Sequence, residues 1–208
     1  MIPRRVLLLV GGIAAAAMVG LAALVLTQTG SAGPSRRIGG AFATTEMTGR
    51  PVTEADLVGR PTALFFGFTR CPATCPVTLQ VLTTVLGRMG PDADRLNAVF
   101  VTLDPARDTP EAMRDYLGSF DPRIRGFVGT DAQTAAMAKA FKVQVRRVPL
   151  EGGDYTMDHT AAVILLDARG RFAGTVSADD DEKAILARLE GLVGAAPGTA
   201  GGSTAAGG

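Results

Sequence analysis

Two cysteines, in the run Cys71-Pro72-Ala73-Thr74-Cys75-Pro76, and one histidine, His159, are the side chains of this 208-residue chain best suited to chemistry. The chain uses cysteine twice and histidine once, so these three form a complete set of soft donors for a single metal ion. Two thiolates and an imidazole suit Cu(I), with Cu(II) or Zn(II) as other occupants of the same set. The same thiols can instead cycle between dithiol and disulfide, and their spacing alone does not separate a shared metal from a redox couple. A purely structural disulfide is the bland alternative, but closing so short a loop removes little entropy from the unfolded chain.

Each cysteine precedes a proline, whose ring pushes the preceding residue out of the α region, so residues 71–75 read as a loop. Pro76 suits the first position of a helix, which puts Cys75 at the cap, where unpaired N–H groups and the helix dipole favour a thiolate. On this reasoning Cys75 is expected to be the more acidic thiol, with Arg70 as a cation that could act on Cys71 or point into solvent. A lone histidine is more often structural or solvated than a ligand, so His159 depends on where the fold brings it. Asp158 is either a partner that orients the ring or a loop carboxylate. Met157 is another soft donor two residues away, yet alternation along a strand edge explains it too. Met89, Met113 and Met137 fall on predicted helices at spacings that suit core filling.

The elements that must position these residues alternate. Residues 62–68 and 97–103 are short apolar runs that read as buried strands. Between them Val77, Leu79, Val81, Leu82, Val85 and Leu86 mark a helix that loosens at Gly90-Pro91. Thr109-Pro110 starts a second helix, reaching about Phe120, with a capping hydroxyl, proline at the first position and Glu111 in the first turn. A weaker strand over 126–129 leads into a helix over 131–141. Strands follow over 143–148 and 161–166, then a turn over 167–170 into a strand over 172–176 and a closing helix over 179–193. This order predicts an α/β domain of thioredoxin-like fold, with a central mixed sheet flanked by helices. The cysteines fall just after the first strong strand, where open α/β sheets place their chemistry. In such a sheet the start of the strand after His159 abuts the cysteine loop, which brings the imidazole within reach of the thiols.

Residues 6–26 are apolar without a charge and long enough to cross a bilayer. A transmembrane anchor is the reading, because the hydrophobic core of a cleavable signal is shorter, although Gly30-Ser31-Ala32 offers small residues for cleavage. The expected organisation is a cytoplasmic stub, anchor and tether over 1–37, a globular domain over 38–194 and a disordered Ala- and Gly-rich tail over 195–208. A net charge of +1 without a basic run argues against nucleic acid as a partner. Arginine outnumbers lysine 18 to 3, a composition that goes with GC-rich bacterial genomes and so with an anchor in the inner membrane and a domain in the periplasm.

Three ordered motifs resemble the Sco (SenC/PrrC) family: Phe65-Phe66-Gly67-Phe68-Thr69 followed by the cysteine run, Val101-Thr102-Leu103-Asp104-Pro105-Ala106-Arg107-Asp108-Thr109-Pro110, and Asp158-His159-Thr160. The resemblance covers about residues 38–192. It implies a membrane-anchored thioredoxin-like domain that binds copper, Cu(I) or Cu(II), through Cys71, Cys75 and His159. The implied task is assembly of the binuclear copper centre of cytochrome c oxidase subunit II, with a further periplasmic protein as a possible source of copper. It also implies thiol reduction of that centre, or redox or copper sensing, as alternative uses of one site. Ala73 departs from the acidic residue that many members carry there, which bears on docking or thiol reactivity but leaves all three ligands in place. Asp104, Arg107 and Asp108 match the second motif, and ion pairing or loop shaping explains them as well as partner contact does. A metallochaperone would need His159, whereas a thiol-disulfide oxidoreductase working through Cys71 and Cys75 would not. A peroxidase of the peroxiredoxin type would need a Thr-x-x-Cys pocket, which the sequence lacks.

Overall fold

The computed structural model describes residues 38–196, beginning with a short antiparallel hairpin of β1 (Ala43–Thr45) and β2 (Pro51–Thr53). Strand β3 (Thr62–Gly67) leads through the cysteine loop into helix α1 (Thr74–Met89). Strand β4 (Asn97–Thr102), helix α2 (Pro110–Leu117), strand β5 (Ile124–Phe127) and helix α3 (Asp131–Ala140) follow. A two-stranded arm, β6 (Val145–Pro149) and β7 (Tyr155–His159), precedes β8 (Val163–Leu166), β9 (Phe172–Val176) and helix α4 (Glu182–Ala195).

Five strands form one mixed sheet in the order β5-β4-β3-β8-β9. The helical crossovers make β3, β4 and β5 parallel, while β8 runs antiparallel to β3 and β9 to β8. Every residue of β3 and β4 is buried, because helices cover both faces, and this is why the two strands read as continuous apolar runs. Period two survives in what the side chains touch. Ala63, Phe65, Ala98 and Phe100 join Leu79 and Leu82 of α1, Met113 of α2 and Ile185 of α4. Leu64, Phe66, Val99 and Val101 join Phe42, Met137 and Phe141 on the opposite face. The arrangement is that of a thioredoxin-like α/β fold, and Met89, Met113 and Met137 are core residues as expected.

Local signals placed some boundaries well. The Thr109 hydroxyl accepts the Ala112 N–H at 3.2 Å and Pro110 opens α2. Other expectations need correction. Helix α1 begins at Thr74, two residues before Pro76, and Val77 is 54 % exposed because it lies off the face carried by Leu79 and Leu82. The closing helix starts at Glu182, where Asp181 caps the N–H groups of Lys183 and Ala184. The strand expected over 126–129 sits two residues earlier. The strand expected over 143–148 belongs to the arm, and its partner β7 is an additional strand. Helix α4 also takes in Ala195, the first residue of the expected tail. The anchor over 6–26, the tether and stub up to residue 37, and residues 197–208 of the tail lie outside the described residues. Among the described residues no helix is long and apolar enough to cross a membrane.

Candidate metal centre

The site stands at the carboxyl ends of β3 and β4, the edge at which open α/β sheets bind ligands. Its base is a chain of buried hydrogen bonds. The Asp108 carboxylate, with no exposed surface, accepts the Thr69 N–H at 3.0 Å, the Thr69 hydroxyl at 2.6 Å and the Thr102 hydroxyl at 2.6 Å. Thr102 in turn accepts the Asp104 N–H at 2.9 Å, and the Leu103 N–H donates to the Gly67 carbonyl at 2.7 Å. The loops leaving the two parallel strands are thus fastened to each other, and the peptide that carries Cys71 starts from that fastening. Gly67 completes it by subtraction: a Cβ there would stand 2.7 Å from the Cys75 sulfur and 2.6 Å from the Phe100 ring. A glycine inside a strand marks such a close approach.

Cys75 projects from the first turn of α1 into the core and is fully buried, whereas Cys71 lies partly open above it. The Cys75 N–H donates to the Cys71 sulfur at 3.3 Å. The expected order of acidity is therefore reversed. Cys71 is held down to about 4 by the hydrogen bond from the Cys75 thiol, against some burial, and further by His159 and the backbone N–H groups of Cys75 and Ala73. Cys75 is driven up by its neighbour Cys71 and by burial, with the charge of Asp108 adding to the effect. The physical reason is positional. The amino end of α1 favours a thiolate as the sequence suggested, but the sulfur placed over those N–H groups belongs to Cys71.

His159 ends β7, where pairing with Val145 of β6 fixes its register. Its Nδ1–H donates to the Thr160 carbonyl at 2.9 Å, since a carbonyl can only accept. That leaves Nε2 facing the Cys75 sulfur at 3.8 Å. Burial works against protonation of the ring, yet the hydrogen bond and charge of Cys71 hold its pKa above the ordinary histidine value. Phe68 meets the ring edge-on with centroids 6.0 Å apart, and Phe65 lies at 6.5 Å. Asp158 is settled as a surface carboxylate. It pairs with Arg146 at 2.8 Å on the outer face of the arm, while the backbone of Thr160 fixes the tautomer. Met157 is partly buried and packs at the margin of the core, and Arg70 is exposed.

The fold brings His159 to the two thiols across 84 residues of sequence. Sulfur and nitrogen ligands at bond lengths near 2.3 and 2.0 Å on one ion are separated by roughly 3.5–3.7 Å at angles of about 110–120°, and the Cys75 to His159 distance of 3.8 Å lies just above that range. Thiolates and an unprotonated imidazole nitrogen are donor types that Cu(I) takes, so Cys75 would have to give up its proton to ligate beside Cys71 and His159. The donors adjoin without enclosing an ion: among the described residues no group of three or more His, Cys, Asp or Glu is arranged as a ready metal cage. Sequence reasoning missed Gly67 as part of this site, and it offered loop shaping for Asp108, which the bonds to Thr69 and Thr102 bear out. An isolated glycine within an apolar strand was the available signal for Gly67. What the sequence left open for Asp108 was its partners, which only the meeting of β3 and β4 brings to it.

Residues 30–194 match the SCO1/SenC family. Mitochondrial protein SCO2 of Saccharomyces cerevisiae is 35% identical over 155 residues, which cover 73% of this chain and 52% of the yeast protein. The SCO2-like protein of Rickettsia felis is 32% identical over 157 residues, covering 74% and 77% of the two chains. This chain therefore spans about half the length of the yeast relative and about three quarters of the rickettsial one. Among solved structures, Bradyrhizobium japonicum ScoI with copper bound is 43% identical with a TM-score of 0.71, covering 74% of this chain and 99% of that one. Yeast Sco1 with copper bound is 32% identical with a TM-score of 0.70, covering 76% and 90%. Agreement of this kind over most of the described domain, in sequence and in fold, means that the chain belongs to the SCO1/SenC family.

Proposed function

We propose that this protein is a copper chaperone that takes up Cu(I) through Cys71, Cys75 and His159 and delivers it to the binuclear copper centre of cytochrome c oxidase subunit II. The observation that carries this reading is the approach of His159 Nε2 to the Cys75 sulfur at 3.8 Å, beside a Cys71 already favoured as thiolate. Copper is cargo in this scheme. It enters at the partly open Cys71, displaces the proton held by Cys75 and gains the imidazole nitrogen left free by the Thr160 contact. During loading these three side chains replace the ligands of a periplasmic donor, and on release ligands of the acceptor replace them one by one. Relatives with copper bound support the metal. The apolar stretch over residues 6–26 supports a single-pass anchor in a bacterial inner membrane, with the domain on the periplasmic side, within reach of a membrane-bound oxidase.

One observation favours a second use of the same thiols. An accessible thiolate above a buried, protonated thiol is the arrangement of a disulfide reductant. In this reading Cys71 attacks a disulfide of the acceptor, forming a mixed disulfide and releasing one acceptor thiolate. Cys75 then loses its proton and attacks Cys71, releasing the second acceptor thiolate and leaving the Cys71–Cys75 disulfide. The acceptor gains two electrons and the chaperone loses two.

An anaerobic Cu(I) competition titration of the reduced protein, run beside His159→Ala and Cys75→Ser, tests the first reading. One copper per chain, bound tightly and severely weakened in both variants, is the expected result. Weak binding, or binding indifferent to His159, overturns it and leaves the reductant reading, for which His159→Ala should retain disulfide reduction.

A further inference from the structure

The arm that carries His159 is a ribbon of two strands that pair only with each other. Such a ribbon is at best marginally stable on its own, so contacts with the body of the domain must set its pose. On β7 the side chains of Tyr155, Met157 and His159 share one face, because a strand alternates with period two. His159 is at the thiols. Tyr155, about 13 Å away at the other end of the same face by the ordinary strand rise, makes the most elaborate contact of the arm.

The Tyr155 hydroxyl donates to Asp104 Oδ1 at 2.7 Å. The Arg107 guanidinium lies 3.6 Å from the centre of the tyrosine ring and that of Arg147 lies 3.9 Å from it. Arg107 also donates from Nε to Asp104, and from Nη1 to the Tyr155 carbonyl at 2.9 Å and to Asp154 at 2.8 Å. Its Nη2 is buried with no acceptor, so the stacking on the ring is what accompanies the burial of that edge of the cation. Asp104 is 1 % exposed and belongs to the network that runs through Thr102 and Asp108 to Thr69. Tyr155 therefore ties the arm to the same rigid base that carries the cysteine loop.

We propose that Tyr155 is a positioning residue for His159: held by Asp104 and stacked on Arg107 and Arg147, it fixes the pose of the β6–β7 arm and thereby the distance from the imidazole to the thiols. The proposal rests on His159 being a copper ligand. The hydroxyl sets the register of the arm through one directional bond, and the stacked guanidinium groups set its tilt.

His159 is the only histidine, so selective labelling of histidine in the metal-free, reduced full chain yields one imidazole signal, shifted by the rings of Phe68 and Phe65. In Tyr155→Leu that signal should move toward the position of an unstructured histidine, and Cu(I) affinity should fall by about tenfold or more, the usual effect of losing an orienting partner of a ligand. Tyr155→Phe, which keeps the stack but loses the bond that sets the register, should restore part of both. Arg147→Ala, which removes only one layer of the stack from the exposed side, should shift the imidazole signal part of the way and serves if Tyr155→Leu fails to fold. In a His159→Ala background Tyr155→Leu should cost no further copper affinity. An unmoved imidazole signal in Tyr155→Leu and Arg147→Ala overturns the proposal, and so do losses that multiply in the double variant. Copper binding indifferent to His159→Ala would instead bring down the copper reading, while the metal-free imidazole signal still reports whether Tyr155 places the ring.

Discussion

The central sheet and the β6–β7 arm hold the side chains of one candidate site in opposite ways. Strands β3 and β4 are buried at every position, and the thiols sit on loops fastened to their ends by buried hydrogen bonds. In the arm, β6 is exposed at four of its five positions and β7 is nowhere fully buried. The domain thus holds its thiols with the stability of the whole core, and its imidazole with a few contacts at the surface. If the proposed copper reading holds, affinity for the metal and stability of the fold are governed by separate residues, and the imidazole, held on the weaker element, is the ligand most easily exchanged.

A large core deletion far from the site is the strongest way to break that separation. Phe66 is fully buried on the face away from the thiols, its ring 5.8 Å from that of Phe141. Phe66→Ala should cost about 3–5 kcal/mol of unfolding free energy, measured by denaturant titration, yet leave the imidazole signal of His159 and the copper stoichiometry of the folded fraction unchanged. A displaced imidazole in this variant would mean that the core and the arm are one mechanical unit.

Asp108 should give a somewhat smaller loss with a different character. Replacing it by alanine leaves the Thr69 N–H and the hydroxyls of Thr69 and Thr102 without their buried acceptor, and unsatisfied buried groups of this kind cost about 1–3 kcal/mol each when nothing compensates. A total near 3 kcal/mol is expected, together with faster alkylation of Cys75 as the loop loosens. Stability loss without any change at the thiols would show that the fastening serves the fold alone.

What could be read in advance divides along the same line. Strands β3 and β4 were legible because burial on both faces demands apolar residues at every position, and α2 was legible because Thr109-Pro110 is a start signal written within two residues. The arm was not. Its second strand is Tyr155-Thr156-Met157-Asp158-His159, in which every other residue meets the body and no apolar periodicity stands out. Asp108 stands out in the second motif as an ion-pairing or loop-shaping residue, but its partners Thr69 and Thr102 come to it only where the ends of β3 and β4 meet. The acidity of the thiols shows how a correct local rule can yield the wrong residue. The prolines do mark the amino end of a helix, but the helix starts two residues earlier, and tertiary packing turns Cys75 into the core and leaves Cys71 over the free N–H groups.

That reversal has a pH signature. Cys71 titrates near 4 in the folded protein and near 8.5 in an unfolded chain, so its contribution to stability is complete above about pH 8.5 and is lost as the pH falls through that window toward 4. His159 runs the other way: its raised folded value contributes below about pH 6.5 and is lost as the pH rises through the folded pKa. Cys75, kept neutral in the fold, adds a loss above about pH 8.5, where the unfolded chain would ionise it. Unfolding of the reduced protein should therefore become easier between pH 8 and pH 5, about the window of Cys71, and Cys71→Ser should flatten that part of the difference. Alkylation checks the assignment directly, since Cys71 should react at about pH 6, where an ordinary thiol is almost wholly protonated. A faster reaction at Cys75 would restore the order expected from the sequence.

The smallest effect is expected on the outer face of the arm, and it is the most discriminating about how the imidazole is held. Arg146 and Asp158 face each other across β6 and β7 at 2.8 Å with side chains 73% and 63% exposed. An exposed pair of this kind contributes about 0–1 kcal/mol, so Arg146→Ala should leave stability almost unchanged. Because Asp158 turns away from the ring and Thr160 holds Nδ1, Asp158→Asn should leave copper affinity almost unchanged as well. A carboxylate next to a histidine in sequence invites the reading that it orients the ring, but on a strand adjacent residues point to opposite faces. A marked loss of copper affinity in Asp158→Asn would mean that the arm turns its outer face inward when metal binds, which would make the arm's pose, and with it the site, dependent on the metal it receives.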